Sequence, residues 1–569
     1  MQITTDDWKL YQQGKDYKQK INLFNIVDKN ERFYADDQWN GVKSNGLPTP
    51  VLNVIKRVIN YKVSQIMSSG IKVQYGVEGL EEDSPDYQEL MMASDIFSKQ
   101  ATNLWEKSIQ DSSNEETLLD AAVSGDGVRY VYWNDMYKTL TDAMGDICHE
   151  NIDNVNVFPG NPNLNKINGE QGPAQPYMLV AYRMLISDIK KVAENNGVKQ
   201  SDIDAISGDE DYTYQSGDRS KIELDDNSKA ICLLKMWPEN GTIWFRKSVK
   251  NVIIQPEKDS GLKLYPIAYF NWEKRKNSFH GTADCTGMIP NQIFINKLAA
   301  MLMLGLMHVA FPTRVIDITR VSSWSNEIGQ VIKVNGSDGN IKGVADYLQA
   351  GQISNQAFDF LQTFISLTKE MMGANEVALG EVNPENTSAF IAVSQAVSVP
   401  LESVQRRFYQ FIEDLARIWL DFFTSKYNAP RLIEVDMGDG QKQTVPFVGS
   451  KYADVSFRLK VDVGPTTKWS EVASLQTLDR LLLNKEITIA QYLERIPGSV
   501  IPKKEQLIQE AKQNMMMAQQ QQMAQEQQMQ QQMQMDMQRE REDKDEERNN
   551  NERDYQLEVA KMMNAGGAE

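Results

Sequence analysis

The sequence predicts an α+β protein with a long helical C-terminal region. Residues 1–123 read mostly as helices, several with an apolar face at helical spacing. Short segments rich in β-branched and aromatic residues, divided by Pro, Gly and Asn, occupy 128–272 and predict an antiparallel sheet. Residues 503–563 contain neither proline nor glycine, which favours one continuous helix. With 569 residues the chain is long enough for several cores.

Composition and charge exclude some functions. The net charge is -18, whereas tight binding of nucleic acid requires Lys and Arg against phosphates. Three scattered cysteines, Cys148, Cys232 and Cys285, form no CxxC pair and favour a reducing compartment. The first residues show no signal-peptide pattern. The apolar run 298–311 is too short to span a bilayer and predicts a buried helix.

The first half of the chain divides into helices and then strands. Helices are predicted over 8–26, 51–67 and 87–123, with an aromatic turn at 32–41. Strands are predicted at 128–133, 154–158, 178–182, 230–237 and 242–245, forming one sheet. A helix at 186–195 interrupts them, and the polar residues 196–228 predict a surface excursion.

Two helices and a small β-rich module are predicted next. The helices cover 284–311, opened near Pro290, and 355–372, and should lie side by side and antiparallel. Between them, strands are predicted at 313–318, 330–334 and 341–344. A hairpin turn is predicted at Asn335, Gly336, Ser337, Asp338 and Gly339.

A polar loop, 373–386, separates the second of these helices from a longer one that runs to 427. Asn383, Pro384 and Glu385 form a helix-start signal, and Pro400 should kink or break that helix. No Lys or Arg lies between Lys369 and Arg406. One interpretation is an ordinary helical hairpin with a surface loop. The other is a mobile, uncharged-to-acidic loop that faces a polyanion without gripping it.

The C-terminal region returns to strands at 432–435, 445–448 and 455–463 and is then helical from 469. Thr488 and Gln491 fit a capping box. The helix over 503–563 would be about 90 Å long at about 1.5 Å per residue, and one chain cannot bury it. Met529, Met533 and Met537 form an i, i+4 stripe that predicts a helical barrel or coiled coil. A disordered Gln-rich tail is the alternative beyond 540.

Catalytic motifs are not found. The three histidines have no metal-ligand spacing: His149 beside Cys148 should diverge from it in a strand, and His308 should be a hydrogen-bonded core residue. The glycine turns 125–127 and 336–339 match neither phosphate-binding pattern. GxSxG is also missing. We therefore predict no catalytic residue, no cofactor, no metal and no enzyme activity.

The order of these parts resembles the portal, or head-to-tail connector, proteins of tailed bacteriophages, most closely the podovirus type with a C-terminal helical barrel. The resemblance covers nearly the whole chain, and no single motif in it is a catalytic signature. The segments that carry it are 33–39, 49–57, 287–297, 373–387, 461–465 and 469–471.

The resemblance implies a portal fold and a domain for each part. Residues 1–283 would be the wing, 284–311 and 355–372 the stem, 312–354 the clip, 373–386 the tunnel loop, 387–466 a kinked helix with further wing strands, 467–512 the crown and 513–569 the barrel. The tunnel-loop residues facing DNA would be Gly373, Ala374, Asn375, Glu376, Gly380, Glu381, Asn383 and Glu385. The clip turn at 335–339 would dock terminase and the tail adaptor.

The implied function is a ring of twelve subunits at one capsid vertex of the virion, assembled in the host cytoplasm without a membrane. Double-stranded DNA would pass through its channel. The partners would be the major capsid protein, the terminase large subunit and head–tail adaptor or tail proteins. The competing interpretation is a coiled-coil, scaffold-like assembly protein with no DNA channel.

Overall fold

The computed structural model describes residues 4–68, 70–77, 87–138, 144–169, 172–208, 229–311, 313–321, 334–335, 344–348, 355–374, 399–428, 430–436, 442–455, 457–463, 477–484, 486–496 and 504–565. The chain forms two compact units. The first contains Met1–Met437 and Gln441–Thr467, and the second contains Gly438–Gly440 and Lys468–Glu569.

The first unit mixes helices and sheets, which confirms the α+β class. Its helices are α1 (Asp6–Lys20), α2 (Leu23–Tyr34), α3 (Val54–Met67), α4 (Tyr87–Lys107), α5 (Gln110–Ser124), α6 (Ile186–Asn195), α7 (Gln200–Asp204), α8 (Asp284–Ala310), α9 (Asn355–Met371) and α10 (Glu402–Lys426). Two predicted helices are each split by a left-handed residue: 8–26 at Asn22 (φ 58°) and 87–123 at Ile109 (φ 49°). Within the excursion 196–208, the short helix α7 buries Ile203.

The strands form antiparallel sheets. They are β1 (Ile71–Val77), β2 (Asp126–Lys138), β3 (Met144–Asn151), β4 (Val157–Pro159), β5 (Met178–Leu185), β6 (Lys229–Glu239), β7 (Thr242–Ser248), β8 (Ile253–Asp259), β9 (Ile267–Asn271), β10 (Thr313–Ile316), β11 (Ala345–Leu348), β12 (Arg431–Asp436), β13 (Lys442–Phe447) and β14 (Phe457–Val463). The single sheet predicted over 128–272 is wrong. The structure has a three-stranded sheet β3–β2–β9 and a five-stranded sheet β4–β5–β6–β7–β8.

Three two-stranded ladders complete the first unit. β1 pairs with β14, and Ile71 lies opposite Val463. β10 pairs with β11, and β12 with β13. The β1–β14 ladder connects residues almost 400 positions apart in the sequence. It therefore joins the beginning and the end of the first unit.

Helix α10 forms the centre of the largest core. Its apolar stripe buries Phe408, Phe411, Trp419 and Phe423 completely or almost completely. Helices α3, α4, α5 and the first half of α8 contribute many of the other buried side chains of this cluster, and strands such as β1 and β9 contribute more. A helix that buries this much aromatic surface contributes strongly to the stability of the unit, because each buried aromatic side chain adds on the order of 1.5–3 kcal/mol. The core therefore fixes the base of α8.

The second unit is helical where it is described. Helix α11 (Ile489–Arg495) begins with the predicted capping box, in which Thr488 and Gln491 exchange side-chain and backbone hydrogen bonds. Helix α12 (Lys504–Ala565) contains 62 residues. This confirms the long continuous helix and extends it beyond residue 540, where a disordered tail was the alternative.

Candidate functional site

Helices α8 and α9 lie side by side and antiparallel, as predicted. Asn291 Nδ2 approaches Thr368 Oγ1 at 3.4 Å, and the rings of Phe294 and Phe364 are 4.8 Å apart. The contact from the later residue of α8, Phe294, goes to the earlier residue of α9, Phe364. The two helices therefore run in opposite directions. The β10–β11 ladder continues this pair, with Thr313 opposite Leu348.

The first half of α8 is fixed to the core by two buried amide side chains. The N–H of Val54 donates to Gln292 Oε1 at 2.9 Å, and Gln292 Nε2 donates to the carbonyl of Leu52 at 2.7 Å. Asn296 Nδ2 donates to Gln38 Oε1 at 2.6 Å. The two bonds of Gln292 satisfy backbone groups at the start of α3. With the bond of Asn296 they hold α8 against the segment 38–54.

A buried carboxylate holds the segment that leads into α8. Asp126 accepts hydrogen bonds from His280 Nδ1 at 2.7 Å, from the N–H of Gly281 at 2.7 Å and from Asn271 Nδ2 at 2.8 Å. Burial alone would raise the pKa of Asp126, but these hydrogen bonds outweigh it and lower the pKa. Burial also lowers the pKa of His280. Asp126 is therefore held as a carboxylate, with His280 Nδ1 placed to donate to it.

From Met303 onward α8 is largely exposed, so the predicted burial of 298–311 is wrong there in the single chain, whereas Ala299, Ala300 and Leu302 are buried as predicted. We call the exposed apolar residues of the helix pair the stem face: Met301, Met303, Leu306, Met307, Val309 and Phe311 at the end of α8, with Phe358, Phe360, Leu367 and Met371 on α9. His308 is also exposed, and its predicted place in the core is wrong. A helix that is apolar on all sides is normally buried. The stem face therefore indicates a missing neighbour.

Helix α8 also has the length and composition of a membrane span, and it is the one such helix in the described part of the chain. The core helix of a soluble protein meets the same criteria. The first half of α8 buries Cys285, Met288, Ile289 and Ile295 in the main core. We therefore attribute its apolar character to packing between protein helices.

The end of α9 and the start of α10 meet at one place. Gly373 has φ +73°, and the N–H of Ala374 donates to the carbonyl of Lys369 at 2.9 Å. Ala374 is fully buried. A Cβ placed on Gly373 would lie 3.6 Å from the Cβ of Pro400. The other tunnel-loop residues, Asn375, Glu376, Gly380, Glu381, Asn383 and Glu385, lie outside the described residues.

Pro400 lies at a helix boundary. It occupies a 3₁₀ turn at Val399–Leu401, and α10 begins at Glu402. Pro400 precedes the N-cap residue Leu401, so its missing N–H removes no hydrogen bond from α10. Residues 387–398, through which the predicted helix would run, lie outside the described residues, so the kink or break at Pro400 stays a prediction.

The remaining predicted site residues are only partly described. Asn335 is exposed and its N–H donates to the carbonyl of Arg320 at 3.1 Å, whereas Gly336, Ser337, Asp338 and Gly339 lie outside the described residues. Met529, Met533 and Met537 are 66%, 65% and 53% exposed on α12. They form an apolar stripe with no cover in the single chain.

Sequence reasoning missed the environment of His149. Trp419 Nε1 donates to His149 Nε2 at 2.7 Å, and burial lowers the pKa of His149 to about 3. A histidine beside a cysteine in a strand gives no signal of a tryptophan 270 positions away. Among the residues that the structure describes, no group of three or more His, Cys, Asp or Glu side chains could hold a metal ion.

Comparison with known families gives the class of this protein. The family model described as phage P22-like portal protein matches residues 239–552, which include α8, α9, α10 and most of α12. That match covers more than half of the chain, and it defines a structural protein of the phage capsid. The chain belongs to the P22-like portal protein family. No curated protein matches the chain.

Proposed function

We propose that the chain assembles into a ring of twelve subunits at one vertex of the capsid, with a central channel for double-stranded DNA. The stem face is the observation that carries this proposal. One half of α8 is held rigidly by the core, while the other half presents apolar side chains to solvent. Contacts between neighbouring copies in a ring are heterologous, so every copy covers the next and no apolar face remains open.

The energy available from such contacts is substantial. Leu306, Met307 and Phe311 are 47%, 51% and 77% exposed in the single chain. Covering side chains of this size contributes on the order of 1 kcal/mol each or more. Ten residues of the stem face in each subunit therefore supply a strong driving force for assembly, once the cost of association is subtracted.

The other parts of the portal are assigned by the order of the segments along the chain. α8 and α9 are the stem, 312–354 is the clip, and its turn at 335–339 docks the terminase large subunit and later the tail adaptor. Residues 1–283 and 387–466 form the wing, which faces the major capsid protein. Residues 467–512 are the crown, and 513–569 are the barrel, in which the stripe of Met529, Met533 and Met537 faces neighbouring copies.

The loop 373–386 faces DNA in this proposal. Its charge supports the role, because residues 370–405 contain no Lys or Arg. Each cation paired with a phosphate would add affinity through counterion release and slow the movement of DNA. At the described ends of this region, Ala374 and Leu401 are buried. A loop with fixed ends and no cations can follow the duplex without holding it.

A coiled-coil assembly without a channel is the second candidate. The exposed length of α12 and its methionine stripe favour it. That alternative gives no role to the stem face, whereas the ring gives a role to both surfaces. The two candidates therefore differ in which surface drives assembly.

The test is the mass of the particle formed by stem-face variants, measured by light scattering. Leu306→Lys together with Met307→Lys should give monomers, because a buried ring contact would have to accept two charges. The matched control is Met136→Lys, an exposed methionine in β2 (89% exposed) that lies outside the stem face. It should leave the ring intact. A ring that survives the double substitution would contradict the role of the stem face.

A further inference from the structure

A small polar pocket lies between α10 and the sheet that contains β9. Its volume is about 100 Å³, enough for one oxyanion of a few heavy atoms. The segment 165–169 and β9 form one wall, Lys274 follows β9, and α10 supplies the opposite wall. None of the functional assignments above uses this pocket.

The lining of the pocket is strongly basic. It contains four cations, Lys166, Lys274, Arg407 and Arg417, and one carboxylate, Asp414. This composition is unusual in a chain with a net charge of -18. Arg417 is already paired with Asp414 at 3.4 Å. The positive charge of the other three cations is left in excess within the lining.

Arg407 carries an unpaired donor at this place. One of its terminal nitrogens, Nη2, donates to the carbonyl of Trp272 at 2.6 Å. Its Nε is buried and has no hydrogen-bond partner in the described part of the chain. A buried N–H without an acceptor costs about 1–3 kcal/mol. Such a group requires an explanation, and a bound acceptor supplies one.

The electrostatic environment also favours an anion. Burial lowers the pKa of Lys274, and the positive charges of Arg407 and Lys166 lower it further. Burial likewise lowers the pKa of Arg407, and the carboxylate of Glu273 only partly offsets this. Burial raises the pKa of Asp414 to about 6, with a further contribution from Glu413. Repulsion between neighbouring cations is relieved when an anion lies among them.

We propose that this pocket binds one small oxyanion of the phosphate type between Arg407, Lys166 and Lys274. Charge-assisted hydrogen bonds from guanidinium and ammonium groups are the usual means of holding such an anion. The net charge of the chain opposes a long polyanion, so a free anion fits better than a strand of nucleic acid. The bound ion would connect α10 with the segment 272–283 that leads into α8, and this holds with or without ring formation.

Calorimetric titration of the full chain with inorganic phosphate tests the proposal. Sodium chloride keeps the ionic strength constant, so non-specific screening does not change. Wild type should bind phosphate saturably. Lys166→Gln with Lys274→Gln should weaken binding by at least about tenfold, because hydrogen bonds to charged groups are lost. Lys274→Gln alone should give an intermediate loss.

The matched control replaces Lys199 and Lys276, two exposed lysines outside the pocket, by glutamine. It removes the same charge and should keep the affinity of wild type. Equal affinity of wild type and the pocket variant, or no heat beyond the chloride blank, would overturn the proposal. If duplex DNA competes with phosphate and this competition requires Lys166 and Lys274, the proposal of a free anion would be overturned in favour of a nucleic-acid contact.

Discussion

Gly373 and Pro400 lie against each other, so the segment that separates them in the sequence begins and ends at one place. A Cβ on Gly373 would be 3.6 Å from the Cβ of Pro400. Gly373 follows the last residue of α9 by two positions, and Pro400 precedes α10 by two residues. The proposed tunnel loop therefore has a fixed base made from the end of a stem helix and the start of the central core helix.

A disulfide should form across this base. Native disulfides have Cβ atoms about 3.5–4.5 Å apart, which the Gly373–Pro400 geometry meets. We expect Gly373→Cys with Pro400→Cys to oxidise within one chain, although the positive φ of Gly373 costs about 1 kcal/mol in a residue with a side chain. Mass spectrometry after proteolysis identifies the linked peptides.

Two features make this experiment specific. Cys148 is replaced by serine because it is partly exposed, whereas Cys232 and Cys285 are buried and can remain. Each single cysteine variant is the control. Links formed only between subunits would show that the two residues are not neighbours in the same chain.

Deletion of residues 375–386 should separate DNA handling from assembly. Gly373 and Ala374 are kept because Ala374 is buried against the core. We expect rings of unchanged mass, with DNA packaging or retention strongly reduced in particles assembled with the variant. Light scattering and the DNA content of particles are the two measurements. Monomers in place of rings would contradict the role of this segment as a loop.

Asp120 in α5 should make stability dependent on pH. Burial, then the charges of Asp153, Glu116 and Glu31, raise its pKa from 3.8 to about 7. The stability that depends on its protonated form is complete below pH 3.8 and is lost as the pH rises through about 7. Asp120→Asn should therefore stabilise the protein increasingly up to about pH 7, by at most about 4 kcal/mol at the plateau, since each pKa unit corresponds to about 1.4 kcal/mol.

The melting temperature as a function of pH measures this effect. Glu115→Gln removes one charge from the exposed surface of the same helix and is the control. The difference in melting temperature between Glu115→Gln and wild type should change little over the same pH range. A pH-independent difference for Asp120→Asn would mean that Asp120 ionises normally in the folded protein.

Truncation after Gln513 should leave a ring. The stem face and the main core lie entirely before this residue. We expect the truncated chain to form particles whose mass falls only by that of the removed residues, as measured by native mass spectrometry. Conversion to monomers would show that α12 drives assembly and would favour the coiled-coil candidate.

The long helices could be predicted from the sequence. The observed ends of α8 and α9 lie within one residue of the predicted ones, because a run of apolar residues bounded by prolines or polar turns determines a helix locally. The breaks that divide two of the predicted helices were missed. They occur at Asn22 and Ile109, whose left-handed conformation cannot be predicted from the residue type alone.

Strand pairing and exposure could not be predicted in the same way. β2 pairs with β9 although Gly127 and Phe270 are 143 positions apart, and periodicity contains no information about such partners. The sequence of an apolar helix is the same whether the helix packs in its own core or against another copy of the chain. This is why the exposure of α8 beyond Leu302 was not predicted. The basic pocket could not be predicted from the sequence, because Lys166, Lys274 and Arg407 come from segments that are far apart in the chain.

Electron microscopy of the purified chain, averaged down the symmetry axis, tests the central claim most directly. The account predicts closed rings of about a dozen subunits, with an open channel roughly as wide as a DNA duplex. Monomers under conditions where the chain is folded, or thin rods built on α12, would contradict it.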